Sequence, residues 1–218
     1  MWNVLDICYD RVCIMEITME EIMKKYSTTF IECVKEWPEN IQEDIYKLYS
    51  YLRVIDEMVE GGDLFNTKEW RKVIENFHEV SDKYEFKGEW LQDFHQSMFT
   101  DLVQKEHTIQ SMLEYCKGSS ESVGLMMARI LGCPSQADQY ARSLGRAYQI
   151  INFVRDYKED VAKGYHYITD NHTLYANMFR EELKKGMEGL HYIDPKLRQP
   201  ILKANEMYNK IAEEILGE

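Results

Sequence analysis

The sequence predicts an all-α protein, and three observations carry that expectation. With 4 Pro and 11 Gly in 218 residues, there is little material for the repeated turns of a β fold. Long segments rich in Glu, Lys, Leu, Met and Ile lie between these breakers, a composition that favours helices. Apolar residues recur at three- and four-residue steps, and no stretch of useful length shows the alternation of a strand. A chain of this length fills one core and is short for two, so residues 1–218 are expected to form a single domain.

Residues 5–25 read as a first helix, interrupted by the polar run Ser27-Thr28-Thr29. Pro38 suits the first turn of the next, where its missing N–H costs nothing. Ile41, Ile45, Leu48, Tyr49, Leu52, Ile55 and Val59 mark the apolar face of that helix, and Gly61-Gly62 ends it. Amphipathic stretches follow at 68–84 and 89–105. Residues 108–131 read as a helix kinked around Gly118-Ser119-Ser120 and Gly124. The helix at 134–163 is apolar nearly all round between 147 and 154, the mark of a central buried helix. Two more helices are expected at 174–188 and 196–216.

Lys and Arg number 26 against 38 Asp and Glu, a net charge of −12 at pH 7. Such a balance gives no general attraction for nucleic acid or anionic lipid. An anionic ligand would need a metal or a few placed cations. The cysteines Cys8, Cys13, Cys33, Cys116 and Cys133 are odd in number and include no C-x-x-C pair. Neither a disulfide framework nor a zinc site is signalled. The first residues lack the apolar run of a secretory signal, and no stretch nears the ~18 apolar residues of a spanning helix. The expectation is a soluble protein of a reducing compartment, the cytoplasm.

Two acidic clusters stand out. Asp56 and Glu60 lie one turn apart on one helical face, about 6 Å along the axis. Asp56 also sits at the edge of the apolar stripe, where a carboxylate is costly unless paired or bound to a metal. The bland alternative is a solvated acidic face with Arg53 as partner. In the second cluster Gln149, Asn152, Asp156 and Asp160 form one polar stripe on the apolar helix. Buried amides and carboxylates need partners, and a hard cation with oxygen ligands is the simplest common one. Magnesium suits carboxylates plus a substrate phosphate. The alternative there is a satisfied core network.

These residues resemble the squalene/phytoene synthase family, whose members join two allylic diphosphates head to head. Three stretches carry the resemblance: Tyr26-Ser27-Thr28-Thr29-Phe30, the helix from Leu48 through Arg53 and Asp56, and the run from Tyr148 through Asp156 to Asp160. The resemblance implies an isoprenoid-synthase-type helical bundle with a central cavity. It assigns Ser27 and Thr29, with Phe30 beside them, to the diphosphate. Tyr49 and Arg53 would face the diphosphates, while Asp56, Glu60, Asn152, Asp156 and Asp160 would hold magnesium, or manganese in its place. Tyr49, Arg53, Asp56, Asp156 and Asp160 are thus the implied catalytic set, and Arg53, Tyr115, Gln149, Arg155, Lys163 and Tyr167 the further substrate contacts. Weaker matches are Phe99-Thr100-Asp101-Leu102, with an added acid near the site, and Tyr115-Cys116 with Val123 to Met127, a kinked cavity-lining helix. Lys163-Gly164-Tyr165-His166-Tyr167 is similar to the flap after the second motif. The implied partners are an isoprenyl diphosphate and, for release of an apolar product, a membrane surface touched peripherally.

The chain departs from the family pattern at three positions. Glu60 stands where the first motif more often ends in Asp, Tyr165 where a basic residue is commoner, and Glu206 where many members carry Arg. The chain is also shorter than usual. These departures bear on rearrangement of a cyclopropyl intermediate and leave the use of NADPH open. Other readings are a cyclase of one prenyl diphosphate, a prenyltransferase for another acceptor, and a non-catalytic assembly factor of the same fold. The factor is disfavoured because Asp56, Asn152, Asp156 and Asp160 are all present. Glu75-x-x-His78 and Glu188-x-x-His191 match the spacing of di-iron bundles, but Gly186 and Gly189 make the second a poor ligand platform.

Overall fold

The computed structural model describes residues 18–27, 30–59 and 67–217, and every regular element among them is helical. Helix α1 (Met19–Tyr26) starts at Thr18, whose hydroxyl accepts from the Glu21 N–H while Glu21 accepts from the Thr18 N–H. That reciprocal cap, with Thr18 itself extended, breaks the helix expected over residues 5–25; the part before Thr18 lies outside the described residues. After the short α2 (Ile31–Val34), α3 (Glu39–Val59) begins where the Pro38 carbonyl accepts from Ile41 and Gln42. The expected stop at Gly61-Gly62 lies outside the described residues. Helices α4 (Thr67–Lys83) and α5 (Gly88–Val103) match the two amphipathic stretches within two residues.

The kink is present, as one π-helical turn. Helix α6 (Ile109–Cys116) passes through Lys117–Glu121, wound wider, into α7 (Ser122–Ile130). The glycines explain why the chain accepts it. A Cβ on Gly118 would fall on the Asp93 carbonyl, and one on Gly124 on the Ala141 carbonyl, so α5 and the central helix approach the backbone itself.

The central helix is α8 (Asp138–Ala162), preceded by a single 3-10 turn at Ser135–Ala137. Its residues Ala147, Ile150 and Ile151 are fully buried, as the all-round apolar pattern requires. Helix α9 (His172–Glu188) runs along it, and α10 (Gln199–Leu216) closes against both. Two apolar clusters result. One joins α1, α2, α3, α4 and α7 with Trp90 of α5 and Ile201 of α10. The other joins α6, α8 and α9 with the later parts of α5 and α10, and Leu52, Ile55, Val123 and Leu144 touch both. No helix among the described residues is long and apolar enough to cross a membrane. Cys33, Cys116 and Cys133 are buried free thiols, and burial pushes Cys116 up to about 12.

Candidate active site

A cavity of about 450 Å³ opens between the two apolar clusters. Its wall draws on α3, the π-turn, α7, α8 and the segment after α9, and is mostly Met, Leu, Ile and aromatic side chains. Among the described residues, Arg53 and Asp56 are the charged groups of that wall. Tyr49, one turn before Arg53, joins them from α3; Gln149 and Asn152 join from α8. Phe30 and Tyr115 also line it.

Arg53 is held on three sides. Its guanidinium lies over the Tyr26 ring, 4.4 Å from the centroid, and donates to Asp56 at 2.5 Å and to Glu57. Its Nε is buried with no hydrogen-bond partner. On the α8 side, the Asn152 Oδ1 is likewise buried and unpaired. Tyr208 of α10 links this edge together. It lies beside Asn152 and Arg155, and its ring stacks on Tyr148 at 4.5 Å. The Tyr148 hydroxyl donates to Asn205 at 2.5 Å. Burial pushes Tyr49 up to about 12, and raises Tyr148 and Tyr208 as well, so all three stay neutral phenols near pH 7.

The other expected residues among those described lie outside this wall. Asp156 and Asp160 occupy the next two turns of α8 after Asn152, and Arg155 clamps Asp156 with two hydrogen bonds. Lys163 pairs with Glu159 at 2.9 Å. The Ser27 hydroxyl accepts from the Ile31 N–H at 3.1 Å, at the start of α2. Thr29 and Glu60 lie outside the described residues.

Tyr115 and Tyr167 converge on an acid. Asp101 is buried, and accepts from Tyr115 at 2.7 Å and from Tyr167 at 2.8 Å. Tyr167 also stacks on Phe153 at 4.6 Å, and its neighbour His166 exchanges backbone hydrogen bonds with Lys105 and His107. The segment after α8 is thereby tied to the α5–α6 turn and to the cavity wall.

The donors suit magnesium by chemistry. Asp56, Asn152, Asp156 and Asp160 offer oxygen alone, and the unpaired Asn152 Oδ1 is an acceptor in search of a positive partner. Arg53 Nε, an unpaired donor on the same wall, is the matching site for an anion. No group of three or more His, Cys, Asp or Glu side chains stands close enough to hold a metal among the described residues. The carboxylates Asp56 and Asp156 sit instead in ion pairs with their own arginines. For the di-iron spacing, His78 is exposed and His191 bonds through Nδ1 to the Glu188 carbonyl of its own turn.

Sequence reasoning missed several of these residues. Glu57, Tyr208, Tyr148 and Asn205 had no assigned part, and neither did the buried Glu121, gripped by Arg146 at 2.6 Å and by Arg142 at 3.6 Å. Arg146 also reaches Glu182 at 3.2 Å, so α8, α9 and the π-turn share one charge network. The polar residues on the greasy face of α8 and α10 were the available signal.

Comparison with known proteins places the chain. The 4,4'-diapophytoene synthase of Staphylococcus haemolyticus is 25% identical over 166 residues, covering 66% of this chain and 58% of that protein. The 15-cis-phytoene synthase of Synechococcus elongatus is 24% identical, covering 77% and 65%. The chain thus spans less than two thirds of the length of these curated relatives. Among solved structures, a dehydrosqualene synthase in complex with ligand superposes with a TM-score of 0.75 at 20% identity, covering 88% of this chain and 82% of that one. The squalene synthase HpnC from Alicyclobacillus acidocaldarius gives 0.71 at 16% identity, covering 90% and 91%. Both share the all-helical fold. The sequence model of squalene/phytoene synthases matches residues 23–217, nearly the whole chain, and the chain belongs to that family.

Proposed function

We propose that this chain is a transferase that ionises isoprenyl diphosphates and joins two of them head to head, giving a squalene-, dehydrosqualene- or phytoene-like product. One observation carries the reading. An apolar cavity of about 450 Å³ carries the charged groups Arg53 and Asp56 on one helix, with the unpaired Asn152 Oδ1 on another. That volume falls in the range of roughly 300–1,000 Å³ usual for small-molecule sites. Family membership and the relatives' names support the same chemistry.

The residues divide the work between charge and oil. A diphosphate leaves an allylic carbon only when its developing charge is neutralised. Magnesium, for which Asp56, Asn152, Asp156 and Asp160 offer oxygen ligands that would need the diphosphate's own oxygens beside them, would supply most of that positive charge when bound. Arg53 adds a fixed cation, its Nε free to donate to a phosphate oxygen. The tail and the carbocation left behind face a wall of Met, Leu and aromatic rings that excludes water, and ring faces favour a cation. Tyr49, Tyr115 and Tyr148 are neutral phenols near pH 7, which burial only reinforces, and present rings and hydroxyls without a phenolate that would trap it.

Incubation with farnesyl or geranylgeranyl diphosphate and magnesium, with and without NADPH, tests the reading by analysis of the lipid product. A hydrocarbon or cyclopropyl diphosphate of doubled carbon count is expected. A product of unchanged carbon count, or one joined to a different acceptor, overturns coupling.

A further inference from the structure

We infer that Tyr140 forms the end wall of the cavity and sets how long a prenyl tail it accepts, with Leu144 as the next rung; this rests on the prenyl diphosphate reading above. Tyr140, Leu144, Tyr148 and Asn152 lie at four-residue steps on α8, and all four line the one cavity. Twelve residues of helix from Asn152 to Tyr140 span about 18 Å. The polar edge is at the Asn152 end. At the Tyr140 end the wall is apolar, so a tail anchored by its diphosphate runs toward Tyr140.

The end wall is flanked by a pinned turn. Beside Tyr140 lies the 3-10 turn Gly189–Tyr192, which follows α9 and itself adds Gly189 and Leu190 to this end of the cavity wall. A Cβ on Gly189 would overlap the Cβ and Cγ of Tyr140, so only glycine lets the turn sit flush against that side chain. The Tyr192 ring packs 5.9 Å from Tyr140, and His191 meets its edge at 6.4 Å. Arg198 Nε donates to the Ile193 carbonyl at 2.8 Å and holds the turn from outside. The ring therefore has a close neighbour on one face and the cavity on another. One turn nearer the polar edge, Leu144 presses against Gly186 in the same way, leaving its side chain as the point where added bulk would shorten the space.

The test measures dissociation constants for non-ionising thiodiphosphate analogues of geranyl, farnesyl and geranylgeranyl chains, with wild type, Tyr140→Ala, Tyr140→Phe and Leu144→Phe. Tyr140→Ala should move the preference toward the longer chain by about tenfold or more, the scale on which a hydrophobic pocket discriminates size. Tyr140→Phe should keep the wild-type ratios, and Leu144→Phe should move them toward the shorter chain. Helical circular dichroism checks the fold of each variant, and Leu144→Phe decides the matter alone if Tyr140→Ala does not fold. Wild type that binds the analogues, with ratios unmoved in the folded variants, overturns the end wall and leaves the proposed function standing. Wild type that binds none of the analogues overturns the proposed function and this inference with it.

Discussion

Arg155 grips the carboxylate of its sequence neighbour Asp156 through two hydrogen bonds, Nε to Oδ1 at 2.7 Å and Nη2 to Oδ2 at 2.6 Å. Both side chains keep about a third of their surface, 31% and 38%. An ion pair so exposed is a weak strut, and on the proposed function it gives the Asp156 carboxylate up to a metal ion.

Asp156→Asn tests that reading. An ion pair this exposed is worth ~0.2–1 kcal/mol, so the melting temperature should fall by a few degrees at most. Diphosphate release should fall by about a hundredfold or more, the scale of losing one charge-stabilising group. Thermal melts and a phosphate-release assay on the same preparation measure both. Undiminished release by wild type in excess chelator would contradict a metal at this acid.

Asp101 makes a different demand. It is 5% exposed and accepts from two tyrosines, so Tyr167→Phe removes one bond to a buried carboxylate. The expected loss is about 1.5–3 kcal/mol of stability. Asp101→Ala should cost more, because the Tyr115 and Tyr167 hydroxyls both lose their acceptor. Urea unfolding of the two variants checks the order, and an Asp101→Ala protein as stable as Tyr167→Phe would contradict it.

The Glu121 carboxylate, 5% exposed, neutralises Arg146 at the π-turn. Glu121→Ala leaves that arginine half-buried with Glu182 as its remaining acid among the described residues. Breaking such a pair costs about 3–5 kcal/mol. At this chain length that lowers the melting temperature by about 10 °C. Glu121→Gln, which still accepts a hydrogen bond, should recover part of the loss; calorimetry on both variants tests it.

Alkaline pH should destabilise the fold more steeply than unfolded tyrosines alone would. Burial raises Tyr49 from its ordinary value of 10.0 to about 12, and raises Tyr115 and Tyr148 as well. Between those values the unfolded chain has lost the proton and the folded chain still holds it. Stability is therefore complete below about pH 10 and declines as pH rises, by about 1.4 kcal/mol per unit for each such tyrosine. Tyr49→Phe should flatten that limb between pH 10 and pH 12; an unchanged slope would mean Tyr49 titrates normally.

The fold was legible where local chemistry decides it. Of the three- and four-residue repeat in α3, Ile41, Ile45 and Leu48 are buried, whereas Tyr49 and Leu52 are half-buried in the cavity wall and Tyr51 and Val54 share the burial. Gly118 with its serine neighbours is where the π-turn forms. The start of α1 was also written locally, in Thr18-x-x-Glu21, but the periodic residues before it suggested a longer helix. For the candidate site, Gln149 and Asn152 in the cavity wall were readable because polar residues on a buried helix face need a reason, whereas Asp156 and Asp160 lie beyond that wall. Asp101 was visible as an extra acid, whereas its two phenol donors come from α6 and from beyond α8. Tyr208 against Tyr148, and Glu121 against Arg146, are likewise meetings between distant stretches of chain. Periodicity says which face is buried and is silent on what it is buried against.

The most direct test of the central claim counts diphosphate against product. Purified protein is given one prenyl diphosphate and magnesium, and released diphosphate and lipid product are measured together over the same time course. Head-to-head coupling predicts a product with twice the carbons of the substrate, and two diphosphates released for each molecule of it. Arrest at a cyclopropyl diphosphate predicts the same doubled carbon with one. One diphosphate for each product of unchanged carbon count would contradict coupling and leave only ionisation.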